Sequence, residues 1–87
     1  MDLTKEEFRV LWQLEEGSNF IEEIEQFTEI PEDKIKKILI KFKEIGLIKI
    51  NKKYDEHYKK ENWFSTLERE KSKPLYEKYK GWIPKGA

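Results

Sequence analysis

Between residues 34 and 60 this chain places ten lysines against Glu44, Asp55 and Glu56, a balance of +7. Ammonium groups at that density do one kind of chemistry well: they hold a polyanion by charge and release its counterions. The preceding residues 1–33 carry eleven Asp or Glu against Lys5 and Arg9, a balance of −9, and residues 61–87 stand at +2. A formal net charge of zero therefore conceals two opposed blocks. The plainer reading of the lysines is a solvated face on a charge-rich protein. That of the acidic block is ordinary exposed surface, against steering or a basic partner.

Other chemistries have little to work with. The chain has no cysteine and one histidine, His57. A disulfide framework, a thiolate zinc site and a centre built from several imidazoles are thereby excluded within one chain, and no metal or cofactor is expected. No glycine-rich phosphate loop occurs, and no nucleophile lies at a recognisable spacing from a base. Adjacent acids such as Glu6-Glu7 and Glu22-Glu23 diverge on a helix surface. An enzyme is not expected. His57 reads as an exposed loop residue, with a pH-dependent phosphate contact as the alternative.

The elements that would carry the lysines follow from the apolar spacing. Thr4 with Glu7 makes a capping-box pattern, Leu3 can staple onto Phe8, and Phe8, Val10, Leu11, Trp12 and Leu14 cover a wide face up to Gly17. A helix so apolar is either central to the core or shared with a partner. A second helix is expected with Asn19 as its cap and Phe20, Ile21, Ile24 and Phe27 on its buried face. Pro31 opens a third, with Glu32 and Asp33 at its positive end, a stripe of Ile35, Ile38, Leu39, Phe42 and Ile45, and Gly46 as its stop. The short link between the second and third helices calls for a steep crossing.

Leu47-Ile48-Lys49-Ile50 reads as a strand, Asn51–Asn62 as a long lysine-bearing tip, and Trp63-Phe64 as the returning strand. Ser65 or Thr66 is a candidate cap for a final helix that Pro74 breaks or restarts. Leu75, Tyr76 and Tyr79 give a second small apolar face before Gly81, Trp82-Ile83-Pro84 an apolar hook, and Lys85-Gly86-Ala87 a frayed end. The fold class expected is mainly α with a small β-hairpin (α+β): three helices, a two-stranded wing and a C-terminal helix. Residues 1–66 would form the domain, and 67–87 an extension packed on it or used for dimerisation. The polar N-terminus shows no signal-peptide core, and no apolar run approaches a membrane span, so an intracellular, cytoplasmic location is expected and no membrane. The abundance of Lys, Glu and Ile is thermophile-like in composition.

Helix, helix, short turn, helix, then Gly46-Leu47-Ile48 opening a hairpin resembles the winged helix-turn-helix superfamily over roughly residues 4–66. Residues 35–48, from Ile35-Lys36-Lys37-Ile38 to Gly46-Leu47-Ile48, resemble the recognition helix and first wing strand of MarR-like and ArsR-like DNA-binding domains. The resemblance implies a third helix in the major groove of double-stranded DNA with the wing beside it. It also implies the role of a small transcription regulator. The candidate DNA contacts are then Lys34, Lys36, Lys37, Lys41 and Lys43 on the helix and Lys52, Lys53, Lys59 and Lys60 around the wing. Ile40, on the outward side, either touches a thymine methyl or packs beneath the wing, and packing is favoured.

No arginine occurs between Arg9 and Arg69, so the bidentate guanine contact is missing, and Glu32-Asp33 repels phosphate. Binding led by backbone charge is implied. A homodimer is expected through Leu11, Trp12, Leu75, Tyr76, Tyr79 and Trp82, with half-sites about one helical turn apart, ~34–36 Å. The alternative function is a winged-helix protein-interaction module in a replication or transcription assembly. Base stacking by Tyr54, Tyr58 or Trp63 is a third, weaker reading.

Overall fold

A computed structural model of the chain describes residues 2–84; the terminal residues 85–87, read above as a frayed end, lie outside the described part. The order is α1 (Lys5–Glu15), α2 (Ile21–Thr28), α3 (Glu32–Glu44), β1 (Ile48–Asp55), β2 (Lys60–Leu67), α4 (Arg69–Tyr79) and a 3₁₀ turn over Lys80–Trp82. This is the expected mostly helical α+β arrangement with one antiparallel hairpin.

Helix α1 begins where its capping box places it. The Thr4 hydroxyl accepts from the Glu7 N–H at 3.1 Å, and the Glu7 carboxylate accepts from the Thr4 N–H at 2.9 Å. Two of the helix's orphan donors are thus satisfied reciprocally. Phe8, Val10, Leu11 and Leu14 are buried, so the wide apolar face belongs to the interior of this chain. Leu11 is 0 % exposed and has no surface to offer a second copy, which removes it from the expected dimer interface. Ile21 and Ile24 of α2, Ile35, Leu39 and Phe42 of α3, and Leu47 and Ile48 complete the same core.

The end of α3 sets the rest. Gly46 adopts a left-handed φ of +81°. Its N–H donates to the Lys43 carbonyl at 3.0 Å and the Leu47 N–H to the Phe42 carbonyl at 2.8 Å, the two bonds of a Schellman stop. The chain turns sharply enough to send Leu47 and Ile48 into the core. The Glu68 N–H returns to the Leu47 carbonyl at 2.8 Å, so the start of α4 is tied to the same junction.

Several local expectations are corrected. Asn19 does not cap α2; its carbonyl and amide instead engage the backbone of Ser65, and Phe20 forms a one-residue bridge with Phe64. Strand pairing therefore claims Asn19, and α2 starts at Ile21, one residue later than that cap would set it. Phe27 is 61 % exposed and Ile45 is 44 % exposed, because the buried line of α2 runs through Ile21, Ile24 and Thr28 and that of α3 ends at Phe42. Neither belongs to the buried stripes assigned to them. The wing has a short tip: β1 and β2 pair from Ile48↔Leu67 to Asp55↔Lys60, leaving only residues 56–59 as the turn. The buried Asp55 carboxylate accepts from the His57 and Tyr58 N–H groups, an Asx turn, and Lys59 takes a left-handed φ of 53°.

Ser65 and Thr66 lie within β2, so Glu68 stands at the start of α4. Residue 66, the expected domain limit, is likewise one short of the strand's end. Pro74 sits inside α4 without ending it. It is exposed, and on that side the carbonyl its ring leaves unpaired can take water.

Gly46 and Gly81 give a paired test of this reading. A Cβ at Gly46 would meet the left-handed penalty and the Lys71 Nζ at 3.0 Å, whereas Gly81 has open space around it. Gly46→Ala is expected to cost about 1–2 kcal/mol, and Gly81→Ala to stay within about 0.5 kcal/mol of the parent, in urea denaturation. Equal costs would contradict a junction set by Gly46.

Candidate nucleic-acid interface

Strand β1 pairs with β2 so that Lys52 lies opposite Trp63 and Lys53 opposite Asn62. Side chains alternate across a strand, so neighbours 52 and 53 serve opposite faces. Ile50, Lys52 and Trp63 face α3, where they meet Ile40, Lys43 and Glu44 and, with Asn51, line a cleft of about 550 Å³. Ile40 is 43 % exposed in this cleft, beside the wing but not sealed under it. The Lys36 ammonium lies 5.5 Å from the centre of the Trp63 ring, a cation–π contact that leans α3 toward the wing. Lys53, on the other face, stands 4.1 Å over Phe64, whose ring meets Phe20 edge-on at 5.1 Å.

The nine candidate lysines thus divide. Lys36, Lys43 and Lys52 come together around the cleft, with Lys37 exposed on the same helix. Lys36 keeps a loose pair with Glu32 at 3.7 Å, whereas Lys37, Lys43 and Lys52 have no ion pair among the described residues. Lys41 is drawn inward to Glu7 at 2.6 Å, Lys60 is held by Glu22 at 2.7 Å, and Lys34 lies 3.9 Å from Glu6. Lys59 stands at the wing tip, away from the cleft lining. The acidic and basic blocks therefore lie partly against one another, and some of the field read from the sequence is neutralised inside the molecule.

Two of these pairs perturb their members. Burial pushes the Glu7 carboxyl up, but the Lys41 ammonium and the Thr4 N–H together outweigh it and leave the group below its usual range. The hydrogen bond from Lys60 to Glu22 holds that ammonium above the ordinary lysine value. Glu7 consequently does two things: it closes the α1 capping box and anchors α3 through Lys41.

Asn51 and Trp63 were not singled out as DNA contacts by the lysine pattern. Trp63 reaches the cleft because the hairpin register sets it opposite Lys52, which the long polar tip expected from sequence obscured, and Asn51 borders the cleft from between Ile50 and Lys52. At the other end of the molecule, Tyr76 and Trp82 lie 6.0 and 5.9 Å from Phe8, and Tyr79 packs beside them. Much of the surface assigned to a dimer through Leu75, Tyr76 and Tyr79 is thus half-buried on α1 of the same chain, leaving Trp12 half-buried and Trp82 43 % exposed at its margin.

Helices α2 and α3 crossing at a short turn, a glycine stop and a hairpin beside α3 define a winged helix. Among solved structures the chain is similar to BpsR of Bordetella bronchiseptica, a protein whose DNA binding is regulated by 6-hydroxynicotinic acid. The TM-score is 0.63 at 18 % identity, and the match covers 98 % of this chain and 67 % of that one. At that identity the likeness establishes the fold alone. No family model matches the chain, and no curated protein matches it in sequence. Among the described residues no group of three or more His, Cys, Asp or Glu is placed to hold a metal ion, and no helix is long and apolar enough to cross a membrane.

The double role of Glu7 has a pH signature. Because its folded-state pKa is depressed, its contribution is complete above the usual carboxylate range and is lost as the pH falls through and below it. Glu7→Gln is expected to lower stability at neutral pH by roughly 1–2 kcal/mol, with the gap to the parent closing in acid. Urea titrations at neutral and acidic pH check this; a gap unchanged by acid would rule out the ionised carboxylate as its source.

Proposed function

We propose that this chain binds double-stranded DNA through the cleft between α3 and the wing and acts as a small transcription regulator. The observation that carries the reading is the convergence of Lys36, Lys43 and Lys52, with Lys37 beside them, on two elements that meet at the Trp63–Ile40–Ile50 floor. Its support is a fold shared with a DNA-binding protein. Docking is electrostatic: ammonium groups on both walls of a cleft straddle a phosphate backbone and displace its counterions. Lysine ammonium is a point charge without the fork that reads guanine edges, so selectivity comes from duplex shape more than from bases. Ile40 is the one apolar side chain of α3 exposed at the cleft and able to touch a thymine methyl.

Lys41 and Lys60 contribute little to this contact, since each must first leave a short ion pair with a carboxylate that is mostly buried. The symmetric dimer expected from sequence has only the margin around Trp12 and Trp82 to use. DNA binding is therefore proposed for the single chain, through one cleft.

Fluorescence anisotropy with a labelled duplex at several salt concentrations tests the proposal. Lys37→Glu, Lys43→Glu and Lys52→Glu combined should weaken binding by at least about tenfold and flatten the logarithmic salt slope by roughly 0.9 per lysine removed. Lys52→Glu alone should weaken binding more than Lys53→Glu, because only Lys52 faces the cleft. Wild-type affinity in the triple variant, with its circular dichroism unchanged, would overturn the assignment.

A further inference from the structure

Each residue of α3 is turned about 100° from the one before, so the sides of the helix follow from its buried stripe. Ile35, Leu39 and Phe42 face the core. Lys36 and Lys43 lie roughly a quarter-turn away on the wing side, in agreement with their places at Trp63 and in the cleft lining. Opposite the core, roughly 140–200° from the stripe, stand Asp33, Lys37, Ile40 and Glu44, all exposed. With a phosphate backbone held between the wing-side lysines and Lys52, this line is the one that faces the adjacent groove of the duplex. Its two carboxylates differ in their surroundings. Asp33 is one turn before Lys37, whose ammonium offsets it. One turn before Glu44 is Ile40, and Lys41, three residues back, is held by Glu7 at 2.6 Å. Glu44 borders the cleft with Lys43 and Lys52 yet has no ion pair among the described residues.

An ionised carboxylate accepts hydrogen bonds and donates none, and a phosphate has none to offer it. In the major groove the donors are the amino groups of cytosine and adenine, and an acidic side chain pairs with that of cytosine. Ile40, 43 % exposed beside it, matches the one apolar group of the groove, the thymine methyl. We infer that Glu44 and Ile40 set the base preference of the DNA interface, Glu44 by accepting from a cytosine amino group and Ile40 by covering a thymine methyl. The inference rests on the DNA-binding reading and adds two base contacts to its shape-led selectivity. The residues are about 6 Å apart along the helix axis, against about 3.4 Å between base pairs, so the two bases are about two steps apart. Lys37, a further turn back, is a point charge that a guanine acceptor or a phosphate satisfies equally, so it adds affinity with little choice. Glu44 also acts against other sequences: where no amino group meets it, the carboxylate is left unpaired beside phosphate oxygens.

Selection of duplexes from a random pool by the full chain, followed by anisotropy on the enriched site, tests this. The wild type should enrich a cytosine and a thymine about two steps apart and lose about fivefold in affinity when that cytosine is replaced. Uracil in place of the thymine removes only the methyl; it should cost the wild type about threefold and Ile40→Ala nothing. In Glu44→Gln the preferred base should change from cytosine to adenine, because an amide presents both a donor and an acceptor to the adenine edge. Both side chains are exposed, so the variants should fold, as circular dichroism will show, and the uracil substitution needs no variant at all. A wild type that binds duplexes but enriches no base overturns the inference and leaves the DNA-binding reading standing. So does a Glu44→Gln chain that binds every duplex more tightly by the same factor, the result expected of a carboxylate that only repels phosphate. Failure to bind any duplex at low salt overturns both.

Discussion

The left-handed turn at Gly46 is the constraint on which the rest of this structure depends. Helix α3 carries its buried stripe on one side only, so the chain must leave it at a fixed azimuth for Leu47 and Ile48 to reach the core. A residue with a Cβ would resist that conformation and would press on Lys71, whose side chain lies across the turn. With the turn made, β1 starts against α3, β2 follows by register, and the Glu68 N–H closes back on Leu47. The wing and α4 are thereby hung from one joint, and the cleft on one side of α3 is a consequence of it.

Charge acts at a second level, on elements already placed by packing. Glu7 is the clearest instance: its carboxylate closes a helix cap and receives Lys41 from across the domain. Glu22 does the same for the wing through Lys60. Exposed ion pairs such as Lys34–Glu6 add little to stability by comparison, because water already solvates both partners. What these pairs do is select among the lysines. Those bound inward stiffen the domain, and those without a carboxylate remain available to a polyanion. The division between structural and functional lysines is drawn by where the acids fall in space.

The aromatic side chains divide in a similar way. Phe8 gathers Tyr76, Tyr79 and Trp82 onto α1, so the C-terminal segment closes the core of its own chain at low cost in residues. Trp63 and Phe64, adjacent in sequence, face opposite sides of the hairpin. One floors the cleft under Lys36, and the other joins Phe20 under Lys53. Phe27 is left outside both groups, and its exposure is the apolar feature that interior packing does not account for.

Elements whose cause is local were legible in the sequence. The Thr4–Glu7 cap, the Gly17 and Gly46 stops and the core stripe of α3 each depend on residues within a few positions of one another, so their types and spacing suffice. The order of helices and hairpin follows from them. Whatever depends on a distant partner was not legible. Asn19 was claimed by Ser65, the tip of the wing was shortened by an Asx turn and cross-strand pairing, and Phe27 and Ile45 were left outside the core although their spacing fits it. The lysine block was visible as a charge count, but a count has no direction. Strand alternation separated Lys52 from Lys53, and Glu7 and Glu22, far away in the chain, withdrew Lys41 and Lys60. Sequence determined where helices start and stop because those signals are short-range; tertiary structure decided which lysines face outward together, because Coulomb attraction and burial act through space.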